Sequence, residues 1–300
     1  MTTPGLLVLG NANVDLVLGE VDGWPAIGTE VVVERSEQRA GGSAGNTALA
    51  LTGLRIPHRF IASAGTDPNG LWLRAQFDPV SSVWIDDAAD TTLTVGIVHK
   101  GGDRVFFTTP GHLQSARLDD LLSRMPEAPH GHAYAILSGG FLMPAIAAGT
   151  VSLLQELKAK GWRTATDPGW PVEGWTDDNR IAFQTWLEAT DIALINAEEA
   201  KGFTGFDGLD AAAETLVSTL QADQLLVIKR GPDGASAYTQ DAITHARAPE
   251  VTVIDTVGAG DTFNAAFLAG LSENSTIEAA LERGVATAAR AISTFPRRYA

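Results

Sequence analysis

The sequence predicts a three-layer α/β/α fold with a mostly parallel central sheet and a small second β layer. Three observations predict it: apolar runs of strand length alternate with helix-period segments, glycine-rich loops lie at several junctions, and two segments break the alternation with strand–turn–strand patterns. Such alternation implies right-handed crossovers, helices on both sheet faces and ligands gathered beyond the carboxyl ends of the strands. The 300 residues are 45% hydrophobic, enough for one large core, and no linker or repeat divides them. One domain over 1–300 is therefore expected.

The expected strands are Leu6–Gly10 (LLVLG), 59–63 (RFIAS), Tyr134–Ser138 (YAILS), Arg163–Asp167 (RTATD), 191–195 (DIALI) and Leu225–Lys229 (LLVIK). Helix patterns include 145–160, closed by Gly161, and 209–220. The first exception to the alternation is 16–39, read as strand, turn and strand around Gly23-Trp24-Pro25, with VVVER (31–35) as its second half. The other is 91–109, a hairpin turning at Gly101-Gly102-Asp103. Neither has a helix to cover it, so both are expected in a β layer projecting as a lid, or as two ordinary edge hairpins.

Composition excludes several functions. The 21 Lys and Arg against 36 Asp and Glu give a net charge of −15, which argues against a nucleic-acid partner. Without cysteine there is no disulfide framework and no thiolate chemistry, which fits a cytoplasmic protein. The opening MTTPGLLVLG lacks the basic region and long apolar run of a signal peptide and reads as a strand. The apolar stretch 133–148 is broken by Ser138-Gly139-Gly140 and Pro144, so no membrane span is expected.

Two glycine clusters bear on chemistry. In Ala40-Gly41-Gly42-Ser43-Ala44-Gly45-Asn46 the glycines free the backbone to approach a ligand, and Asn46 is placed to cap the following helix or to bond a ligand hydroxyl. A plain helix-entry loop reads equally well. More informative is Asp255-Thr256-Val257-Gly258-Ala259-Gly260-Asp261-Thr262-Phe263-Asn264. Gly258, Ala259 and Gly260 open a helix and can aim backbone amides at one anion, with the helix dipole adding to them. Asp261 then places a carboxylate beside that hole, as a base or as a mere helix cap. A carboxylate near a helix N-terminus is expected to stay ionised. There is no Walker-type Gly-Lys-Ser/Thr, and Phe263 stands where a dinucleotide fingerprint needs its third glycine.

At these loops the sequence resembles the ribokinase-like (PfkB) carbohydrate kinases. GGSAGN and DTVGAGDTFNAAFLAGL are similar to the family's two signatures. Asn13-Val14-Asp15, Gly65 to Gly70, Asn196-Ala197-Glu198-Glu199 and Lys229 to Gly234 follow in matching order. The resemblance implies a ribokinase-like fold and ATP-dependent phosphorylation of a hydroxyl on a sugar or sugar acid, with Asp261 as base beside the 258–260 anion hole. It assigns the sugar to Asn13, Asp15, Gly41, Gly42 and Asn46, and the nucleotide to Asn196, Lys229, Gly231 and Gly234. Mg²⁺ falls to Glu199 through water and K⁺ to Asp255; a homodimer through the lid is also implied. For Asn196 and Glu199 a helix N-terminus with an acidic first turn remains the rival reading, and for Asp15 a turn carboxylate. Asp167 matches the family's phosphate-side aspartate or a strand-end turn. Arg297-Arg298 stand in place of the family's glycine-containing tail. A sugar-phosphate acceptor would draw on Arg35, Arg39, Lys100 and Arg104, a nucleoside on aromatic residues such as Trp24 or Phe107; a silent sugar-binding scaffold would lack the base.

Overall fold

A computed structural model describes residues 5–100, 104–295 and 297–300. The chain opens with β1 (Leu6–Gly10), β2 (Asn13–Val21), β3 (Ser36–Gly41), α1 (Ser43–Gly53), β4 (Arg59–Gly65), α2 (Pro68–Arg74) and β5 (Ser82–Asp87). There follow β6 (Leu93–His99), β7 (Arg104–Thr108), α3 (Gly111–Ser115), α4 (Leu118–Leu122), β8 (Tyr134–Ser138), α5 (Pro144–Ala159) and β9 (Arg163–Asp167). The remainder is α6 (Asp177–Ala189), β10 (Ile192–Asn196), α7 (Ala197–Thr204), α8 (Leu209–Ser218), β11 (Leu225–Lys229), β12 (Ala235–Tyr238), β13 (Ile243–Ala246), α9 (Ala259–Ser272) and α10 (Ile277–Ile292).

Nine strands form the large sheet in the order β13-β12-β11-β10-β9-β8-β1-β4-β5. From β11 to β5 every pairing is parallel; β12 and β13 add an antiparallel edge. Successive side chains of β1 bury on opposite faces. Leu6 and Val8 join a core with α1, α9 and α10, whereas Leu7 and Leu9 join one with α5. A third cluster packs α6, α7 and α8 beneath β10 and β11. Helices therefore cover both faces, as the alternation predicts. Among the described residues no helix is long and apolar enough to cross a membrane.

The second sheet, in order β3-β2-β6-β7, confirms the small β layer. Parallel pairing of β2 with β6 joins the two predicted hairpins into one surface. The expectation for 31–35 is corrected: these residues lie outside any strand, and β3 begins only at Ser36. Val31 and Val32 are exposed, with no face to pack against, and β-branched side chains favour a strand only where a half-buried surface receives them. The turn expected at 101–103 lies outside the described residues. Strands β5, β12 and β13, at the two ends of the large sheet, escaped the sequence reading, because they are short or polar and carry little apolar signal.

Candidate active site

Helix α9 is apolar around most of its circumference and is buried from Thr262 to Leu271, so its N-terminus is held as firmly as the core. Gly258 is its N-cap, in a left-handed conformation (φ 71°) that a side chain would strain. The amide of Ala259 turns back to the Thr256 carbonyl (3.2 Å). Among the described residues no acceptor takes the amides of Gly260 and Asp261, which leaves two donors at the positive end of the helix. Asp261 caps nothing. Its Oδ2 accepts from Asn46 Nδ2 at 2.9 Å, and Thr47 Oγ1 donates to its carbonyl at 3.4 Å. Asn46 itself is not a cap either: Gly42 caps α1, and Asn46 sits one turn inside it, facing α9.

On one side of Asp261 opens a cavity of about 780 Å³ at the carboxyl ends of β9, β10 and β11. Asn196, Glu199, Lys229, Gly231, Gly234 and the 258–261 loop all line it. Lys229 Nζ donates to Asp167 Oδ2 at 2.7 Å and to Asn264 Oδ1 at 3.3 Å, and Asn264 Nδ2 donates to the same Asp167 oxygen at 2.6 Å. A Cβ built on Gly260 would stand 3.3 Å from Lys229 Nζ, so the ammonium faces the free amides. Asn196 and Glu199 form a reciprocal capping box on α7, each bond 2.8 Å, so their structural role is real whatever else they bind.

On the other side lie the residues of β2, β3 and α1. Asp15 is buried, accepts from Asn13 Nδ2 at 2.6 Å, and pairs across the strands with Arg39. Arg39 Nη1 reaches Asp255 Oδ2 at 2.5 Å, and Arg297 Nη2 reaches the same oxygen at 3.3 Å. Arg35 and Lys100 do not join them. Arg35 lies against Gly19, and Lys100 meets exposed Asp22 at 3.3 Å. The Arg104 side chain lies outside the described residues.

Three carboxyls here are pushed well above the usual range. Burial, reinforced by Asp167, raises Asp261 to about 7 against the opposing pull of Asn46, Lys229 and Arg297. Glu199 also rises to about 7, through burial and then Asp167, and Asp15 to about 6 through burial opposed by Arg39. The helix dipole thus does not keep Asp261 at an ordinary carboxylate value, because desolvation outweighs it. Burial alone would lower Lys229, but Asp167, Glu199 and Asp261 hold its ammonium above the ordinary lysine value.

A family model described as pfkB family carbohydrate kinase matches residues 4–296. The chain belongs to this family. As a member it is a carbohydrate kinase with the ribokinase-like fold. It is 28% identical over 274 residues to a fructokinase of Salmonella typhimurium, covering 89% of this chain and 84% of that one. It is 27% identical over 285 residues to an ATP-dependent ribose-1-phosphate kinase of Halopiger xanaduensis, covering 92% and 88%. A solved ribokinase of Arabidopsis thaliana, complexed with ribose and ATP, superposes with a TM-score of 0.78 at 22% identity, covering 97% and 93%.

Within this carbohydrate kinase, every site residue chosen from sequence lies along one path from the 780 Å³ cavity, past Asp261, to the small sheet. Three residues in contact with this path were missed or left open. Asp167 was ambiguous because a strand-end aspartate also suits a turn. Asn264 lies in the quoted motif, one turn after Asp261, where helical spacing could have flagged it. Arg297 carries no local signal. The glycine–aspartate–glycine segment at 65–70 proves structural: Asp67 caps α2 and accepts from Thr91 Oγ1 at 2.5 Å.

Gly41 has no room for a side chain, because a Cβ there would collide with the Asp15 carboxylate. Gly41→Ala is expected to displace Asp15 and raise the acceptor KM about tenfold or more, with the ATP KM changed less than about twofold. Steady-state kinetics in both substrates check this; equal rises in both would refute it.

Proposed function

We propose that this kinase transfers the γ-phosphoryl group of ATP to a hydroxyl of a sugar or sugar acid, with Asp261 as general base. The observation that carries this reading is the position of Asp261. Its carboxylate stands between the Lys229 side of the large cavity and the hydrogen-bonding residues of the small sheet, beside two backbone amides without acceptors. ATP would lie in the cavity with its base against the apolar wall of Val251, Val253, Val285, Ala289 and Ile292. Lys229 and the amides of Gly260 and Asp261 would meet its terminal phosphate. Asn13, Asp15 and Asn46, with the backbone of Gly41 and Gly42, would hold the acceptor's hydroxyls.

As the hydroxyl oxygen attacks the γ-phosphorus, the bond to ADP breaks and its electron pair leaves with ADP. Asp261 takes the hydroxyl proton. Phosphoryl transfer gains most from positioning and charge stabilisation, which fixed amides and a desolvated ammonium supply. The small sheet would act as the lid that excludes water.

Mg²⁺ fits the donors present. Glu199 is a hard oxygen ligand whose charge is disfavoured by burial and by Asp167, a penalty that a divalent cation would relieve. Among the described residues no three His, Cys, Asp or Glu are grouped to hold a metal alone. An ion carried by ATP and touching Glu199 and Asn196 through water suits that set; bound there, it would neutralise charge on the β- and γ-phosphates. Asp255 does not fit the K⁺ role. Val257 N–H donates to its Oδ1 at 3.0 Å, and two guanidinium groups hold its Oδ2. Replacing potassium by sodium or tetramethylammonium is therefore expected to change kcat by less than about twofold; strict potassium dependence would refute this.

Of the three basic residues considered for a sugar phosphate whose side chains are described, Arg35, Arg39 and Lys100, only Arg39 enters the site, which favours an unphosphorylated acceptor. Exposed Trp24, Phe106 and Phe107 on the lid support a dimer through it. A coupled ADP-release screen against sugars, sugar acids, sugar phosphates and nucleosides tests the function. The reading predicts best turnover of a sugar or sugar acid, and fails if only a nucleoside or phosphorylated sugar is used.

A further inference from the structure

The acceptor side of the phosphoryl site contains a cation that the mechanism above leaves unused. A Cβ built on Gly258 would stand 3.1 Å from Arg297 Nη1, as one on Gly260 would stand 3.3 Å from Lys229 Nζ. The loop that presents the free amides is thus flanked by two cations, Lys229 from the cavity side and Arg297 from the lid side. Building on the proposed function, we propose that Arg297 is a catalytic arginine whose guanidinium donates to an oxygen of the phosphoryl group during transfer.

Two independent features prepare Arg297 for this. The first is its anchorage. Nη2 donates to Asp255 Oδ2 at 3.3 Å, and the guanidinium lies close enough to the Tyr299 hydroxyl to act on it. Tyr299 in turn packs into the core against Gly53 at the end of α1, where no side chain would fit. An arginine fixed from both sides loses little further freedom when an anion arrives.

The second is charge. Arg39 and Arg297 share one Asp255 oxygen, so two guanidinium groups face one carboxylate. Three further acids are near: Glu37, half-exposed and 3.9 Å from Arg39, Asp15 across the strands from Arg39, and Asp261, on which Arg297 also acts. The Arg297 side chain is 20% exposed, and because the Asp255 oxygen it bonds is shared with Arg39, donors of its guanidinium remain for an arriving anion. The phosphoryl group supplies that anion. Arg297 donates hydrogen bonds only: the proton still passes from the acceptor hydroxyl to Asp261, and the electron pair still leaves with ADP.

The test uses Arg297→Ala and Arg297→Lys in the full chain. Loss of one charge-stabilising donor is expected to lower kcat about 10²-fold, with the KM for ATP and for acceptor within about threefold. Arg297→Lys keeps the stem and charge but cannot span Asp255 and the phosphoryl group together, so its kcat also falls, even if the alanine variant folds poorly. Titration with Mg²⁺, ADP and aluminium fluoride, read by the fluorescence of cavity-lining Trp170, is expected to weaken about 10²-fold in both variants, while ADP alone binds unchanged. Guanidinium chloride should restore part of the alanine variant's rate.

An unchanged kcat with unchanged aluminium fluoride affinity would overturn the proposal. So would a raised acceptor KM at constant kcat, which would mark Arg297 as a binder of the acceptor. If the wild type turns over no acceptor, the proposed function fails separately, and the aluminium fluoride titration still decides the role of Arg297.

Discussion

Asp261→Asn is expected to lower kcat by about 10²–10⁴-fold while the KM for ATP stays within about threefold. The substitution is nearly isosteric, and the new amide oxygen can accept from Asn46 as Oδ2 does now, so the α1–α9 contact survives. What disappears is the group that receives the acceptor's proton. The wild-type pH profile carries the same signature. Asp261 must be ionised to act, and its folded value is about 7, so kcat/KM should fall as pH drops below about 7, where a solvated aspartate would hold activity to about pH 4.

Stability moves the opposite way. A carboxyl whose folded value lies above its unfolded value of 3.8 favours folding most below pH 3.8, and that contribution is lost as pH rises through about 7. Asp261→Asn should therefore melt a few degrees higher than wild type at pH 8, with the gap closing towards pH 4. Thermal melts across that range check the sign. An activity profile flat from pH 5 to 8, or a less stable asparagine variant at pH 8, would refute the assignment.

Much of this site could be read in the sequence because its parts are local. Gly258 to Asp261 forms one turn and one helix start, which the residues themselves suggest, and Asn196 to Glu199 one capping box, which the family resemblance singled out. The valines at 31–35 misled because strand propensity reports a surface to pack on, and that surface depends on residues far away. The value of Asp261 escaped for a related reason. Local rules supply the helix dipole, whereas the burial and the Asp167 carboxylate that overcome it arrive from β9, some ninety residues earlier. Arg297 lies still further outside local reasoning: its partners Asp255, Gly258 and Tyr299 come together only after α10 returns the chain to the loop.

The same long-range assembly makes Lys229 the most sensitive position in the cavity. Lys229→Met removes the ammonium bonded to Asp167 and leaves three carboxyls, Asp167, Glu199 and Asp261, repelling one another with little water to screen them. Breaking a largely buried pair from one side typically costs about 3–5 kcal/mol, and that loss is expected here at pH 8. It should shrink towards pH 5, because Glu199 and Asp261 can take up protons once the cation that lowers their values is gone.

That proton uptake has a kinetic consequence that a simple packing defect would not produce. With Lys229 absent, Asp261 titrates above about 7, so the acidic limb of the rate profile shifts to higher pH while the maximal rate also falls. Adding Asp167→Asn to Lys229→Met removes the unpaired charge and should recover about 0.5–3 kcal/mol relative to additivity. The ammonium beside Gly260 remains missing, so activity should not return with stability. Strict additivity in the double variant, or recovery of rate along with stability, would mean that Lys229 serves the fold rather than the phosphate.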